Sequence, residues 1–195
     1  MTKKEISIIE TARRLFFGQG IKETSVETIV NEARVSKRTF YKYFSDKTAI
    51  LEKVLLVIID ETYERLSSLV EEAKETPLTL NRFLQLYELD DYDFLFGSDF
   101  TVIFMKDYPE LLAKLTEISR EKIIPKYEEL VRLAISHGIL RPDMDIEFFI
   151  LYSFYTRKSM REGILYNQEI IKKMGLKDYF NKFHDYFLNG VVSRQ

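Results

Sequence analysis

Apolar residues recur every three or four positions along most of the 195-residue chain, and strict alternation of apolar and polar residues is almost absent. The first spacing is that of an amphipathic α-helix, whereas alternation marks a half-buried β-strand. The chain also contains only seven glycines and four prolines, too few for the many tight turns of a β-sandwich. These patterns predict an all-α protein.

Three short helices are predicted within the first 45 residues. Gly18 and Gly20 end the first helix. Thr24 and Glu27 fit a capping box at the start of the second, and Ser36 is a suitable N-cap for a third helix that runs through Phe44. A tight turn between the second and third helices predicts a helix-turn-helix.

Longer helices are predicted in the rest of the chain. Ser45 is the expected N-cap of a fourth helix from Asp46 to about Thr76. A capping box at 107–110 precedes the helix that starts at Pro109, and Gly138 suits the position after its end. Pro125 is expected to kink or split that helix. Further helices are predicted over residues 80–89, 98–106, 145–166 and 169–189.

The net charge of −2 conceals an asymmetry between the two ends of the chain. Residues 1–50 carry a net charge of +4 and six aromatic residues, whereas residues 51–195 carry −6 and 21 aromatic residues. A small basic head and a larger acidic, aromatic-rich body suggest two functions in one chain. The alternative is that an excess of four positive charges over 50 residues arises by chance.

The predicted third helix has an apolar side and a basic side. Val35, Phe40 and Phe44 form the stripe expected to face inward. The opposite side presents residues that suit a DNA groove, since arginine reads guanine and lysine neutralises phosphate. The alternative is a solvated basic helix on a small bundle. The residues left for the groove are Lys37, Arg38, Thr39, Tyr41 and Lys42.

The same region carries a specific motif, Thr-Phe-Tyr-x-Tyr-Phe, followed by a lysine at the start of the next helix. Residues 5–55 resemble the DNA-binding domain of TetR-type (TetR/AcrR) transcriptional regulators. The resemblance implies a helix-turn-helix DNA-binding domain over residues 1–48 and a helical ligand-binding and dimerisation domain over residues 49–195. The residues that carry it are Ala12, Phe16, Gly20, Ile21, Thr24, Ser25, Ile29, Val30, the run Ala33–Phe44, Lys47 and Leu51.

The resemblance further implies a homodimer that represses transcription from a double-stranded DNA operator until a small molecule enters the C-terminal domain. The family often has glycine where Arg34 stands and a small residue where Arg38 stands. A left-handed conformation at Arg34 costs about 1 kcal/mol. A long cation at Arg38 is expected to alter base preference.

Nine positions take DNA-binding roles by this resemblance. Base edges are assigned to Arg38, Thr39 and Lys42, with Tyr41 also able to touch a thymine methyl. Backbone contacts are assigned to Thr24, Ser25, Ser36, Lys37, Tyr41 and Lys47. Residues expected to form the core instead are Phe16, Ile29, Val30, Phe40 and Phe44.

The aromatic body suggests a cavity for a bulky apolar or aromatic inducer, because such sites combine apolar walls with a few polar groups. Pro125 removes a helix hydrogen bond and is expected to open a local gap there. The alternative is a fully packed body in which Pro125 only bends a helix. The predicted ligand-binding residues are Phe100, Phe104, Tyr127, Tyr152, Tyr155 and Arg157.

Dimerisation is predicted through the last two helices, over residues 146–166 and 169–189. Both carry apolar residues on more than one face. A helix of that kind has to be buried on several sides, and one intrachain core covers only one of them.

Catalysis and metal binding find little support in the sequence. The chain has no cysteine, and its two histidines, His137 and His184, are interpreted as structural or surface residues. No phosphate-binding glycine loop or nucleophile elbow occurs, so no catalytic residue, metal or cofactor is predicted. No signal peptide or membrane span is evident, which predicts a cytoplasmic protein without a membrane partner. Two alternatives remain: a helix-turn-helix protein whose body binds a protein partner or nothing, and a small helical enzyme with a fortuitous basic helix.

Overall fold

The computed structural model describes residues 1–84, 98–153 and 168–175, together with positions 156, 178, 179, 182 and 185. These residues are helical or form turns, and no β-strand occurs among them, which confirms the all-α prediction. The chain divides into two compact units, Met1–Asp60 and Glu61–Gln195.

Three short helices form the first unit together with the start of a long one. Helices α1 (Lys3–Gly18), α2 (Val26–Glu32) and α3 (Lys37–Tyr43) pack against one another in all three pairs. The five residues predicted for this core are all buried, and Val35 is half-buried. Apolar side chains spaced along each helix therefore converge on one small core.

The structure identifies the caps of the first two helices and corrects the one predicted for α2. Helix α1 begins with a capping box between Thr2 and Glu5. Helix α2 is capped by Ser25, whose Oγ accepts from the Thr28 amide at 3.0 Å. The capping box predicted at Thr24 was wrong, because the Thr24 hydroxyl is buried and donates to the Gly20 carbonyl at 2.7 Å.

Helix α4 (Lys47–Glu75) is 29 residues long, about 43 Å. Asp46 rather than Ser45 satisfies its first turn, since Asp46 Oδ1 accepts from the Ala49 amide at 2.8 Å. Ser45 donates its hydroxyl to Asp46 at 3.1 Å. The capping side chain is therefore Asp46, one residue after the predicted Ser45, because a carboxylate is the stronger acceptor at a helix N-terminus.

The described part of the second unit contains the rest of α4 and several further helical segments. Its core includes Leu66 and Val70 of α4, Phe104, and a stripe along the 28-residue helix that starts at Pro109. Two ion pairs join elements, Arg82 to Glu72 and Lys74 to Glu129. The helical segments are α5 (Leu80–Leu84), α6 (Ser98–Asp107), α7 (Pro109–Ser136), residues 146–153, and α8 (Gln168–Met174).

Helix α7 corrects the expectation about its start and excludes one of the two outcomes expected at Pro125. Its N-cap is Tyr108 and no side chain caps it, so the predicted capping box at 107–110 was wrong, although Pro109 occupies the first turn as expected. The helix also continues through Pro125 and is not split there. Pro125 is exposed, so the carbonyl that its missing N–H leaves without an intrahelical bond lies toward solvent. Gly138 adopts φ +71° directly after the helix, as predicted.

The last part of the chain is described only in pieces. Asp145 Oδ1 accepts from the Phe148 amide at 2.9 Å, which confirms the predicted start of the helix that follows. Helix α8 ends at Met174, before Gly175 with φ +85°, so one continuous helix over 169–189 was wrong. The segments 85–89 and 157–166 of other predicted helices lie outside the described residues.

Candidate nucleic-acid interface

The turn between α2 and α3 is a Schellman motif with arginine at its left-handed position. The Val35 amide donates to the Val30 carbonyl at 3.0 Å, and the Arg34 amide donates to the Asn31 carbonyl at 3.2 Å. Arg34 adopts φ +53°, the left-handed conformation expected at a position where the family often has glycine. The two hydrogen bonds satisfy the last carbonyls of α2 and turn the chain into α3.

Helix α3 is held to the core by one side and exposed on the other. Ser36 caps it by accepting from the Thr39 amide at 3.1 Å. The Phe40 side chain is completely buried, with ring centroids 5.6 Å from Phe44 and 5.4 Å from Tyr41. Since Phe40 fixes the inward direction, the opposite side is open to solvent.

The exposed side of α3 carries the residues predicted to read DNA. Arg38 and Lys42 are exposed, and Tyr41 is exposed over 55% of its surface. Thr39 is half-buried, with its hydroxyl 2.9 Å from the Ser36 Oγ. One short helix therefore presents two cations and an aromatic hydroxyl on a single surface.

Two predicted phosphate anchors contact other residues of the head. Lys37 Nζ lies 3.5 Å from Glu27 Oε1, and both side chains are mostly exposed, so the pair is weak. Lys47 Nζ donates to the Lys22 carbonyl at 3.4 Å. Partial burial lowers the pKa of Lys47, and the nearby Glu23 carboxylate opposes that shift.

Thr24 differs from the other eight predicted DNA-binding residues. Its side chain is 0% exposed, and its hydroxyl accepts from Gln19 Nε2 at 3.2 Å while donating to Gly20. In this position the hydroxyl ties the end of α1 to the turn before α2. Ser25, by contrast, is exposed at the start of α2.

Sequence reasoning missed one contact at the edge of this surface. Thr2 Oγ1 donates to the hydroxyl of Tyr43 at 2.9 Å, which joins the start of α1 to the last turn of α3. The Thr2–Glu5 spacing signals a helix cap, but no local pattern connects residues 41 positions apart.

The predicted ligand-binding residues of the second unit do not share one environment. Phe104 and Tyr127 are buried, whereas Tyr152 is 41% exposed. The Phe100 side chain, Tyr155 and Arg157 lie outside the described residues. Pro125, where a local gap was expected, is exposed on α7.

Two open grooves occur in the described part of the second unit. One, of about 530 Å³, runs between the end of α6 and the first turns of α7 and is lined by Met105, Leu112 and Arg120 among others. The other, of about 360 Å³, lies beside Met144 and Tyr152.

Metal-ligating side chains do not cluster in the part of the chain that the structure describes. The Nδ1 of His137 accepts from the Leu78 amide at 3.0 Å, so this histidine supports the turn between α4 and α5. His184 lies outside the described residues. None of the described helices has the length and apolar character required to cross a membrane.

The head also matches a known family. Residues 8–54 fit the model of bacterial regulatory proteins of the tetR family. Over 99 residues the chain is 38% identical to the uncharacterised HTH-type transcriptional regulator YuxN of Bacillus subtilis. Residues 8–54 therefore have the sequence of a tetR-family DNA-binding region. The match to YuxN covers 49% of this chain and 34% of the relative's length.

Two further comparisons extend over the second unit. The HTH-type transcriptional repressor KstR2 of Mycolicibacterium smegmatis is 22% identical over 75% of this chain and 71% of its own length. The fatty acid degradation regulator FadR of Bacillus halodurans has the same fold, with a TM-score of 0.70 at 17% identity over 100% of this chain and 99% of that chain. The family and these relatives are transcriptional regulators, which confirms the prediction of a regulator rather than an enzyme.

Proposed function

We propose that this TetR-family regulator is a cytoplasmic homodimeric repressor, which binds a palindromic operator through α3 and is released by a small apolar or aromatic ligand. The observation that carries the DNA-binding part is the two-sided character of α3. Phe40 is completely buried on one side, while Arg38, Tyr41 and Lys42 are exposed on the other.

The residues of the head divide into two kinds of DNA contact. Arg38 reads a guanine, with Thr39 and Lys42 beside it on neighbouring base edges. Lys37, Tyr41 and Lys47, together with the exposed cap residues Ser25 and Ser36, bind the phosphate backbone. Thr24 supports the loop from within, because its hydroxyl is already satisfied inside the head.

Repression is supported by the likeness to KstR2, a protein described as a transcriptional repressor, across three-quarters of this chain. A repressor acts by occupying DNA that polymerase needs. A two-fold symmetric dimer would recognise an operator with matching inverted half-sites.

Dimerisation is supported by an exposed apolar stripe on the helical residues 146–153. Phe148 is 63% exposed, Leu151 52% and Tyr152 41%. The three residues are three and four positions apart, so they share one face of the helix. A second copy of the same stripe would cover this face. The remaining residues of the predicted dimer helices lie largely outside the described part of the chain.

An apolar ligand is supported by the aromatic composition of the second unit and by the fold shared with FadR, a regulator of fatty acid degradation. Phe104 and Tyr127 provide buried aromatic surface within that unit. A ligand releases DNA only if it binds the released state more tightly than the operator-bound state.

The DNA-binding proposal is tested by selecting bound sequences from a randomised duplex library. The selected DNA should contain an inverted repeat, and the logarithm of affinity should fall linearly with the logarithm of salt concentration. Lys47→Ala should reduce that slope by about 1. Arg38→Ala should cost about 1–3 kcal/mol on the selected site and much less on random DNA.

A matched control is Lys106→Ala, which removes an exposed lysine from α6 in the second unit. Its salt slope should equal that of the unmodified protein. Equal losses on selected and random DNA for Arg38→Ala would refute base reading by that residue.

The ligand proposal is tested on the same complex. Fatty acids, acyl thioesters and polycyclic aromatic compounds are titrated into operator-bound protein while fluorescence anisotropy is recorded. Release by one class, with a raised melting temperature of the free protein, is the expected result. No release by any compound would favour a body that binds a protein partner or nothing.

A further inference from the structure

The contact between Thr2 and Tyr43 forms a short chain of hydrogen bonds with a defined direction. The Glu5 amide donates to Thr2 Oγ1 at 3.2 Å, and Thr2 Oγ1 donates to the Tyr43 hydroxyl at 2.9 Å. The Tyr43 oxygen thus accepts a hydrogen bond from Thr2. Within the fully described residues 1–84, the hydroxyl of Tyr43 donates its own proton to no acceptor. Bonds linked in this way polarise one another.

Tyr43 lies on the flank of the DNA-reading surface. It follows Thr39 by four positions, so both residues are on the same side of α3. Its ring is half-buried beside Phe44, with centroids 6.3 Å apart, and the Lys42 ammonium lies 5.7 Å from its centroid. The ring is therefore held in place while its hydroxyl reaches the exposed edge next to Thr2.

A hydroxyl whose own proton is available can donate it to a DNA phosphate. Phosphate oxygens only accept hydrogen bonds, so they pair with a group whose proton points outward. A tyrosine hydroxyl without Thr2 would share its donor and acceptor capacity with water in any orientation. Thr2 occupies the acceptor side, which leaves the donor for a partner outside the protein.

We infer that Thr2 is a positioning residue for DNA binding, and that it directs the Tyr43 hydroxyl proton toward a backbone phosphate of the operator. Thr2 does not itself contact DNA in this arrangement. The inference rests on the proposed DNA-binding function and adds the start of α1 to it.

A double-mutant cycle on the selected operator tests the inference. Tyr43→Phe should weaken binding about tenfold, and Thr2→Val about threefold to fivefold, because the donor is lost in the first case and freed to rotate in the second. In the Tyr43→Phe background, Thr2→Val should change affinity by less than about twofold, since Thr2 acts only through the missing hydroxyl. Thr2→Ser retains the hydroxyl and should bind like the unmodified protein.

Two further measurements separate positioning from helix capping. Neither Thr2 nor Tyr43 is charged, so these variants should leave the slope of log affinity against log salt unchanged. Thr2→Gly is a tolerated N-cap substitution that provides neither donor nor acceptor, and it replaces Thr2→Val if the valine variant melts early.

The outcomes are distinguishable. Absence of duplex binding by the unmodified protein would refute the proposed function itself. Normal binding by the unmodified protein with equal losses for the Thr2 variant in both backgrounds, or no loss at all, would overturn the role of Thr2. A loss confined to the background that retains Tyr43 would support it.

Discussion

Arg34 occupies the one left-handed non-glycine position among the described residues. Steric contact of its Cβ with the backbone costs about 1 kcal/mol, and glycine avoids that contact. Arg34→Gly should therefore raise the free energy of unfolding by about 0.5–1 kcal/mol, measured by urea denaturation. Gly138→Ala is the mirror control: its φ is +71° and no atom lies within 4 Å of the added Cβ, so backbone strain alone should lower stability by a similar amount. A loss of stability for Arg34→Gly would contradict the claim that the backbone is strained at Arg34.

Asp46 makes the stability of the head depend on pH. Its bond from the Ala49 amide lowers its pKa below the usual 3.8. A carboxyl whose pKa is lower in the folded state stabilises that state above pH 3.8, and the stabilisation is lost as pH falls toward the folded pKa. Asp46→Ala should cost about 1 kcal/mol at pH 7, with a deficit that shrinks below pH 4. Asp46→Asn, which caps without titrating, should show no such pH dependence, and a deficit for Asp46→Ala that stays constant down to pH 3 would contradict the role of the charge.

At the level of elements, Pro125 tests how the position of a proline in α7 affects the stability of the second unit. A proline inside a helix costs about 3 kcal/mol relative to alanine, whereas a proline in the first turn costs little. Because Pro125 is exposed within an unbroken α7, Pro125→Ala should stabilise the second unit by roughly 1–3 kcal/mol. Pro109→Ala in the first turn of the same helix should change stability by less than about 0.5 kcal/mol. Thermal unfolding followed by circular dichroism measures the stability of both variants. Equal effects of the two substitutions would contradict the view that a proline destabilises α7 only in the helix interior.

The same helix illustrates how far local sequence patterns reach. Its start at Pro109 and its end before Gly138 follow from residue types that only helix termini favour. The exposed position of Pro125 also follows from spacing, since it falls opposite the buried stripe of Ile123, Tyr127 and Leu130. The cap of α2 was misassigned to Thr24 because both Thr24 and Ser25 can cap, and only the fold decides which hydroxyl is buried. The contact of Thr2 with Tyr43 was beyond prediction for the same reason, as it requires the packing of α1 on α3.

At the level of the whole molecule, the proposed repressor requires two copies of the chain, because one head covers only one half-site of an inverted repeat. Phe148→Glu places a charge in the exposed apolar stripe of residues 146–153, where the second copy is proposed to pack. Burial of an unpaired carboxylate opposes association, so sedimentation at micromolar concentration should change from dimer to monomer. Affinity for the full operator should then fall more than tenfold, while affinity for a single half-site stays the same. Met105→Glu introduces the same charge at an equally exposed apolar residue on α6 and should leave both measurements unchanged. A Phe148→Glu variant that still sediments as a dimer would place the interface on another surface.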